Sequence, residues 1–447
     1  SKRFLKSMAH FTLVTAGSRG DIQPYIALGL GLRARGHTVR LATHALYANW
    51  IRGYGLEFAP VEGDPLAAFQ QEHGRDWVET GQRGRDFLRG FHRFIDPLLH
   101  QATADTLAAC AGTDMVLFSA VAFYVTYSVA EKLGLPFLQA YLQPINPTRA
   151  FPSVIYPTRR KGGPIFNYAT HALGGYQIWL RLRPVLNDIR RERLGLRPMP
   201  VLGPFPDMFR KKVPVVHGYS PTLLPKPRDW SAALFVPGFW FLDGDDSYTP
   251  PPALADFLAE GPPPVYVGFG SMTGNDPERL TRVTLEALRL SGQRAVLLSG
   301  WAGLAAGDLP ANVLKLDAAP HGWLFPRMAA IVHHGGVGTT HEALRSGRPQ
   351  VVVPFFGDQP FWADRVHGLG VAPPPLHQEE LTAEGLAAAI GAALTEATLR
   401  QRAAAVGAQC LATQIAANYS DLQTWAGTTA TSPDIDLAGA MDPKLTF

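Results

Sequence analysis

The sequence is poor in cysteine, in charge and in long apolar runs, and each shortage excludes a class of protein. Its two cysteines, Cys110 and Cys410, are too few for a disulfide framework and fit a reducing compartment. It shows neither a signal peptide nor an apolar run of the ~18 residues that a transmembrane helix needs, so we expect a cytoplasmic protein. The net charge of +4 is too small and too dispersed for a nucleic-acid partner. It fits acidic small molecules, or weak contact with an anionic membrane surface.

The remaining composition is that of a globular protein large enough for two domains. Of the 447 residues, 46% are hydrophobic and 17% are charged, and a domain typically holds ~100–200 residues. We expect a monomer or a homodimer. The predicted division is an amino-terminal domain over 8–225, a linker over 226–252, a carboxy-terminal domain over 253–410, and a helix and tail over 411–447 that packs back on the first domain.

A glycine loop in the second half predicts a ligand site. Residues 330–332 are predicted to end a buried strand, and a helix is predicted to start near Thr339 and to stop at Gly347. Free backbone N–H groups converge on an anion in such a loop. The side chains and glycines that would surround a phosphate here are His333, His334, Gly335, Gly336, Gly338 and Thr339.

The next predicted strand, 350–354, leads to a carboxylate beside an amide. Asp358 and Gln359 together offer the donors and acceptors that sugar hydroxyls require. A helix cap at Asp358 is the alternative, because a helix is predicted from Phe361. The pair indicates a sugar next to the phosphate.

A similar strand, loop and helix open the chain. Residues 10–16 form a predicted strand, and the loop 17–21 leads to a helix that Pro24 can start. Each half of the protein would therefore present a loop at the carboxyl edge of a parallel sheet, where open α/β sheets bind ligands. The first loop lacks the G-x-G-x-x-G order of a dinucleotide fingerprint, which argues against a nicotinamide-dependent oxidoreductase.

Asp21, in that first loop, has two interpretations. It is either a helix N-cap or a general base aimed into a cleft. Ser18 and Arg19 beside it add a hydroxyl and a guanidinium.

Other polar and aromatic residues have a structural interpretation beside a functional one. Trp301 follows a predicted strand end and would either stack on a base or pack in the core. The acidic pair in 243–245 has the spacing of metal ligands, but a solvated turn in a proline-rich connector is the simpler interpretation. His333 and His334 have no cysteine or carboxylate at ligand spacing, so we predict no metal site.

Eight motifs point together to one family, and they follow one another in a fixed order between Met8 and about Trp425. They are 17–24, 148–152, 224–230, 236–243, 265–272, 320–326, 333–340 and 354–359. In this order they resemble the UDP-glycosyltransferase superfamily, and most of all its sterol 3-beta-glucosyltransferase branch.

The resemblance implies an α/β fold of the GT-B type, in which two Rossmann-like doubly wound parallel-sheet domains face a central cleft. It implies an inverting, metal-independent transfer of glucose from UDP-glucose, as co-substrate, to a sterol or similar lipophilic acceptor, with no cofactor. Asp21 matches the family's base, and Asp358 with Gln359 matches the positions that hold the sugar. The donor diphosphate is implied to lie against Ser18, Arg19, Ser271, His333, His334, Gly335, Gly336, Gly338 and Thr339.

The chain departs from the family pattern at the nucleotide base and at the acceptor. Many relatives carry a base-stacking tryptophan where this chain has 317–321, so we consider Trp301 and His321 for the base. Plant relatives pair a catalytic histidine with a later aspartate, whereas 118–121 contains no acid and Asp21 would act alone. The aromatic residues available either to line the acceptor cleft or to pack in the core are Phe123, Tyr124, Tyr141, Phe151, Tyr156 and Trp179.

Three other functions remain as alternatives. A natural-product glycosyltransferase would move a dTDP- or UDP-linked sugar to a polyketide or peptide, and donor profiling separates it. An epimerase or hydrolase on this fold would consume the nucleotide sugar without an acceptor. A non-catalytic nucleotide-sugar-binding protein would bind the donor without turnover.

Overall fold

The computed structural model describes residues 8–63, 86–154, 162–243, 248–270, 276–298 and 309–428, without the side chains of 86–97, 277 and 413–428. Contacts divide the chain into two units. The first holds the chain up to Pro221, Pro225–Leu242 and the segment from Gln414 onward, and the second holds Thr222–Leu224 and Asp243–Thr413. The predicted linker over 226–252 is therefore shared between the units, because the change of unit falls at Asp243.

Within its described residues, the first unit combines parallel strands with helices. The strands are β1 (His10–Val14), β2 (Thr38–Thr43), β3 (Glu57–Pro60), β4 (Met115–Phe118), β5 (Phe137–Tyr141), β6 (Val215–His217) and β7 (Leu234–Phe235). The helices are α1 (Arg19–Arg33), α2 (Ala48–Gly53), α3 (Asp86–Ala109), α4 (Phe123–Leu133), α5 (Gly163–Glu192) and α6 (Phe205–Arg210), and a 3-10 turn spans Ala45–Tyr47.

These strands form one parallel sheet in the order β3-β2-β1-β4-β5-β6-β7. In its middle, Leu13 of β1 pairs with Leu41 of β2 on one side and with Leu117 of β4 on the other. The strand order reverses between β1 and β4, and a doubly wound sheet opens a crevice at that point, beyond the carboxyl ends of its strands. The loops that follow β1 and β4 are therefore neighbours.

The second unit has the same kind of architecture. Its strands are β8 (Val265–Gly268), β9 (Ala295–Leu298), β10 (Val313–Leu316), β11 (Ala330–His333) and β12 (Gln350–Val352). The helices are α7 (Pro252–Ala259), α8 (Pro277–Ser291), α9 (His321–Leu324), α10 (Val337–Arg345), α11 (Gln359–Gly368) and α12 (Ala383–Thr395), and 3-10 turns span Phe325–Arg327 and Gln378–Glu380. Helix α13 (Ala397–Thr428) belongs to this unit as far as Thr413, and its residues from Gln414 onward belong to the first unit. No helix in the described ranges is both long and apolar enough to cross a bilayer.

The five strands of the second unit form a parallel sheet in the order β10-β9-β8-β11-β12. His333, the last residue of β11, pairs with Gly268 of β8 and with Val352 of β12. The order reverses between β8 and β11, so the loop after β11 also lies at a switch point of a doubly wound sheet.

Successive side chains along the strands of the second sheet point to opposite faces, so the sheet packs against one apolar cluster on each face. Val265 and Val267 of β8 lie in one apolar cluster, and Tyr266 between them lies in another. Ile331 of β11 faces the same cluster as Tyr266, and its neighbours face the other. Both faces of the sheet are thus buried, which explains why the strands are apolar throughout.

Several element boundaries differ from those that the sequence predicts. The sequence predicts helices over 97–110 and 168–194 and a strand over 213–219. In the structure, these elements are α3, which starts at Asp86, α5, which starts at Gly163, and β6, which covers only Val215–His217. Helix α1 starts before Pro24, which lies inside it. Its start is fixed by hydrogen bonds between Ser18 and Asp21 rather than by the proline.

Candidate functional site

Asp21 lies in the first turn of α1, and one of its carboxylate oxygens is held by Ser18. Oδ2 accepts hydrogen bonds from the Ser18 N–H at 2.9 Å and from the Ser18 hydroxyl at 3.0 Å. The Asp21 N–H donates in return to the Ser18 carbonyl at 2.9 Å. The carboxylate therefore has a fixed orientation at a helix N-terminus, where the helix dipole stabilises negative charge.

Gly17 provides the room for that carboxylate. Its φ of +129° is open to glycine, and a Cβ at this position would lie 2.5 Å from Oδ2 of Asp21. The Gly17 N–H donates to Nε2 of His44 at 3.0 Å, and the Tyr47 hydroxyl lies 3.5 Å from the Gly17 carbonyl. His44 and Tyr47 follow β2, so the neighbouring strand end holds the loop in place.

A small pocket lies beside Asp21, at the carboxyl ends of β1, β4 and β5. Its other lining residues are Thr15, Ala16, Tyr25, Ser119, Ala120, Val121, Leu142 and Gln143. Its free volume is about 10 Å³, roughly the space that one water molecule needs, so this pocket holds only the atoms of a ligand nearest the carboxylate.

Tyr25, in the wall of this pocket, cannot supply a competing negative charge. Its hydroxyl donates to the Ala140 carbonyl. Burial, and then the charge of Asp21, raise the pKa of Tyr25 well above its ordinary value. Asp21 is therefore the acidic group that lines the pocket.

In the second unit, a glycine turn joins β11 to α10. Gly335 has φ +87°, and a Cβ there would lie 2.9 Å from Cγ1 of Val352, so the turn requires glycine. Gly336 is the N-cap, and the first helical bond runs from the Thr340 N–H to the Gly336 carbonyl at 2.9 Å. The N–H groups before that bond have no acceptor inside the helix, and they belong to Val337, Gly338 and Thr339. This is the backbone arrangement that binds a phosphate at a helix N-terminus.

The His333 side chain is engaged inside the second unit rather than turned toward a ligand. It is fully buried, its Nε2 lies 2.8 Å from Oε1 of Gln350, and its Nδ1 accepts from the Gly335 N–H at 3.0 Å. This pattern assigns the neutral tautomer that carries its proton on Nε2, and burial lowers the pKa of His333 to about 4. A direct contact of His333 with a diphosphate does not fit this arrangement, because both ring nitrogens are already bonded within the protein.

His334 is the histidine that lies against the start of α10. A Cβ on Gly336 would lie 2.4 Å from its Nε2, and a Cβ on Gly270 would lie 2.9 Å from its Cε1. The two glycines therefore make the space that the ring occupies. Burial, and then the neighbouring rings of His333 and His321, lower the pKa of His334 to about 3. At neutral pH the ring is thus uncharged and carries one N–H donor, and a hydrogen bond to the Gly268 backbone also engages the ring.

Gln359 and Asp358 connect the end of β12 to α11. Oε1 of Gln359 accepts from the Phe355 N–H at 2.8 Å and from the Phe356 N–H at 3.3 Å, so its NH₂ group is the part available to a ligand. Asp358 stands at the N-cap of α11, and its Oδ2 accepts from Nε1 of Trp362 at 2.8 Å.

These two residues are adjacent to the glycine turn. A Cβ on Gly335 would lie 3.1 Å from the Gln359 carbonyl oxygen. The predicted sugar-binding pair and the predicted phosphate loop therefore lie together at one edge of the second sheet.

Arg19 and His321 are held by aromatic neighbours. The Arg19 guanidinium lies 4.9 Å from the centroid of the Trp50 ring. His321 starts α9, its Nε2 lies 3.2 Å from the Tyr266 hydroxyl, and its ring stacks on Phe325 at 4.4 Å. Contact of Arg19 with the diphosphate and of His321 with a base stay predictions.

The predicted acceptor aromatics in the described part of the chain lie mainly in the core of the first unit. Trp179 is fully buried, its Nε1 donates to the Val201 carbonyl at 2.7 Å, and Tyr124 stacks on it at 5.6 Å. The pocket beside Asp21 is lined by other residues. Five of the residues predicted for the acceptor are therefore packed in or against the core: Phe123, Tyr124, Tyr141, Phe151 and Trp179.

Three predicted site residues, Tyr156, Ser271 and Trp301, lie outside the described residues. Asp243, from the acidic pair considered for a metal, forms an ion pair with Arg345. In the part of the chain that the structure describes, no three His, Cys, Asp or Glu side chains are grouped so that they could hold a metal ion.

Sequence reasoning missed several residues that the sheet order brings to the site. Ser119 and Gln143 follow β4 and β5 and line the pocket beside Asp21. His44 follows β2 and bonds to Gly17, and Gln350 begins β12 and bonds to His333. In the sequence, only their location could have indicated a role, because each residue lies at or next to one end of a strand.

Two family models match the chain, one in each half. The glycosyltransferase family 28 N-terminal domain matches residues 11–152. The erythromycin biosynthesis protein CIII-like, C-terminal domain matches residues 293–419.

Curated relatives match most of the chain, but the chain spans only part of them. A sterol 3-beta-glucosyltransferase of Cryptococcus neoformans var. neoformans serotype D is 38% identical over 423 residues, which cover 89% of this chain and 26% of that protein. The sterol 3-beta-glucosyltransferase UGT80A2 of Arabidopsis thaliana is 37% identical over 387 residues, which cover 85% of this chain and 59% of that protein.

Solved glycosyltransferases share the fold. The calicheamicin glycosyltransferase CalG4 aligns with a TM-score of 0.65 at 18% identity, over 95% of this chain and 99% of that one. The glycosyltransferase VinC, solved in complex with dTDP, aligns with a TM-score of 0.59 at 21% identity, over 91% of this chain and 97% of that one. At these identities the likeness shows the fold alone.

Proposed function

The chain belongs to the GT-B glycosyltransferase superfamily, with sterol 3-beta-glucosyltransferases as homologues over most of its length, and from this premise we propose that it transfers glucose from UDP-glucose to the hydroxyl of a sterol or similar lipophilic acceptor. The observation that carries the proposal is the oriented Asp21 carboxylate, which lines a pocket at the switch point of the first sheet. The chain spans only 26% and 59% of the length of the two sterol 3-beta-glucosyltransferases described above. The activity is therefore proposed from this chain's own residues and from its similarity to those two proteins.

Asp21 is the general base in this proposal. The proton of the acceptor hydroxyl moves to the Asp21 carboxylate, and the acceptor oxygen forms a bond to the anomeric carbon of the sugar. The bond from that carbon to the diphosphate oxygen breaks, and its electron pair leaves on UDP. Attack from the face opposite the leaving group inverts an α-linked donor to a β-glycoside. A positioned base of this kind typically contributes ~10²–10⁴-fold to the rate.

The backbone at the start of α10 stabilises the leaving diphosphate. The N–H groups of Val337, Gly338 and Thr339 precede the first helical bond, and the helix dipole adds positive potential at the same point. His334 contributes one N–H from a neutral ring, since its pKa is lowered to about 3. His333 acts on the turn itself by accepting the Gly335 N–H. Such electrostatic stabilisation allows the transfer to proceed without a metal.

The donor sugar is assigned to Asp358 and Gln359. The Gln359 oxygen is used by the Phe355 N–H, so its NH₂ group donates to a sugar hydroxyl. The Asp358 carboxylate is assigned as the acceptor for another hydroxyl of the sugar, and it also accepts from Nε1 of Trp362. Amide and carboxylate together distinguish a hydroxyl-rich hexose from a deoxysugar, which lacks one of the partners.

The acceptor hydroxyl is assigned to the pocket beside Asp21. Ala16, Val121 and Leu142 give the pocket an apolar lining around the carboxylate, which suits a hydroxyl on an apolar skeleton. We further propose that the protein works in the cytoplasm, at or near membranes, because a sterol resides there.

A second candidate is transfer from a dTDP-linked sugar to a natural product. It is favoured by one finding. Two solved glycosyltransferases of this fold are complexes with thymidine diphosphate, dTDP. A panel of UDP- and dTDP-sugars, tested against sterols and other lipophilic alcohols with mass spectrometry of the products, separates the two. The proposal expects a sterol hexoside from UDP-glucose. Turnover confined to dTDP-sugars, or donor binding without any product, would overturn it.

A further inference from the structure

Exposed apolar side chains are concentrated in one segment of the first unit. Of the fourteen large hydrophobic residues exposed in the described chain, eight fall between residues 165 and 209. Four of these lie close together in sequence, and we call them the Phe209 patch: Val201 (52% exposed), Leu202 (58%), Phe205 (38%) and Phe209 (85%). A soluble surface gains nothing from so many exposed apolar groups in nine residues, and such a concentration marks an interaction site.

The patch is presented by ordered backbone. The Val201 carbonyl accepts from the fully buried Trp179, and a Cβ on Gly203 would lie 2.9 Å from the same indole, so the chain is pressed against α5 here. Phe205 stacks on Phe123 at 5.9 Å with nearly parallel rings. One side of α6 is therefore anchored in the first unit while Phe209 projects away from it.

Positively charged residues follow the patch along the chain. Arg210, Lys211 and Lys212 follow Phe209 directly and are exposed, and only Asp207 opposes them, through ion pairs at 2.5 Å to Arg210 and 2.8 Å to Lys211. Across residues 162–212 there are nine Lys and Arg against three Asp and Glu, a net charge of +6, whereas the whole chain has +4. The rest of the chain is thus net negative. Arg190 of this segment is buried and forms an ion pair with Glu131, so the other cations of the segment carry its excess of positive charge.

Lys212 also turns the cations away from the helix. It has φ +50°, a left-handed conformation that non-glycine residues seldom adopt. The turn directly follows α6, and the Lys212 N–H donates to the Phe209 carbonyl at 3.1 Å. The backbone therefore turns at Lys212 instead of continuing along a helix.

We infer that the Phe209 patch docks the protein on an anionic lipid bilayer, with Phe209 and Leu202 in the interface and the Arg210–Lys212 cations on lipid phosphates. Exposed apolar side chains next to Lys and Arg are an arrangement that binds the interface of such a membrane. A protein partner is disfavoured because lysine is depleted from the cores of protein interfaces. The purpose of docking rests on the proposed lipophilic acceptor, but docking itself is measured without any turnover.

The test is co-sedimentation of the full chain with vesicles of phosphatidylcholine alone and with vesicles containing phosphatidylserine. Phe209→Glu is expected to lower binding to the anionic vesicles about tenfold. The double variant Lys211→Gln, Lys212→Gln is expected to lower it about tenfold as well and to flatten its dependence on salt. Leu290→Glu, a matched change at an exposed leucine (45% exposed) of α8, leaves binding unchanged.

Two further measurements keep the inference distinct from misfolding and from the proposed reaction. Thermal unfolding and transfer to a water-soluble acceptor are expected to be the same in Phe209→Glu and in the parent chain. Equal binding to neutral and anionic vesicles, binding that survives Phe209→Glu, or a dimer that Phe209→Glu disperses would each overturn the inference. If the parent chain transfers no sugar but still binds the anionic vesicles, the proposed reaction is contradicted and the inferred docking is not.

Discussion

The N–H and the hydroxyl of Ser18 both donate to Oδ2 of Asp21, at 2.9 and 3.0 Å. The sequence left two interpretations of Asp21 open, a cap and a base, and this geometry unites them. The capping bonds orient one oxygen, and the carboxylate also lines the pocket at the end of β1. Substitutions here must therefore separate a change in helix stability from a change in chemistry.

Gly17→Ala is expected to disturb the base without unfolding the unit. The new Cβ would lie 2.5 Å from Oδ2 of Asp21 at a φ of +129°, so the carboxylate must move. We expect the rate of transfer to fall at least about tenfold, since small misplacements of a catalytic group are costly. Gly134→Ala is the matched control, because Gly134 has φ +64° with nothing within 4 Å of the added Cβ. A similar loss of transfer in both variants would attribute the effect to backbone strain alone.

His334→Ala is expected to weaken UDP binding, while His333→Ala is expected mainly to weaken the fold. Loss of a hydrogen bond to a charged group costs about 1.5–3 kcal/mol, which corresponds to a ~10–100-fold weaker affinity for His334→Ala. His333 instead bonds to Gln350 and Gly335 inside the protein. Isothermal titration with UDP and chemical denaturation measure the two effects. UDP affinity that survives His334→Ala would remove that ring from the donor site.

Gln359→Glu is expected to spare UDP binding and to impair use of UDP-glucose. The new carboxylate can still accept the Phe355 and Phe356 N–H groups that the glutamine oxygen accepts now. It loses the NH₂ donor assigned to a sugar hydroxyl. We expect KM for UDP-glucose to rise about tenfold with little change in the Kd of UDP. An equal loss of affinity for UDP itself would show that Gln359 supports the phosphate loop instead.

Stability is expected to fall as the pH drops from 6.5 toward 4. The pKa of buried His333 and of buried His341 is lowered from 6.5 to about 4, chiefly by burial. Within this window the unfolded chain binds a proton at each ring and the folded chain does not, so stability rises with pH and is fully present above 6.5. Each ring contributes on the order of 3 kcal/mol.

The measurement is urea denaturation across that pH window, comparing the parent chain with His333→Gln. The variant is expected to show a shallower pH dependence, because one of the titrating rings is gone. His341→Gln, at the other buried ring, is expected to make the pH dependence shallower in the same way. Parallel slopes in the parent chain and in His333→Gln would exclude His333 as a source of the pH dependence.

Much of the architecture follows from local patterns in the sequence. Strand, glycine turn and helix around Gly17 and around Gly335 are specified within about twenty residues, and both turns require glycine for reasons visible at those positions. The parallel sheets follow from the alternation of apolar strands with helices. Predictions of where helices start were less accurate. At α1, hydrogen bonds between Ser18 and Asp21 fix the start, and Pro24, which favours the first turn of a helix, lies inside the helix instead.

Contacts between distant segments could not be predicted in the same way. The sequence does not say that β4 lies beside β1, so Ser119 could not be assigned to the Asp21 pocket. His333 and His334 look equivalent in sequence, and only the pairing of β11 with β12 buries the first ring against Gln350. Aromatic residues such as Trp179 were available for a cleft, yet packing takes them into the core.

The central claim is that Asp21 removes the proton from the acceptor hydroxyl. Its most direct test is single-turnover transfer from UDP-glucose to a sterol by the parent chain and by Asp21→Asn, with the Kd of UDP measured on both. Asparagine keeps an oxygen for the Ser18 donors but cannot take up the proton. We expect unchanged UDP affinity and a rate at least ~10²-fold lower. Transfer at the parent rate in Asp21→Asn would contradict it.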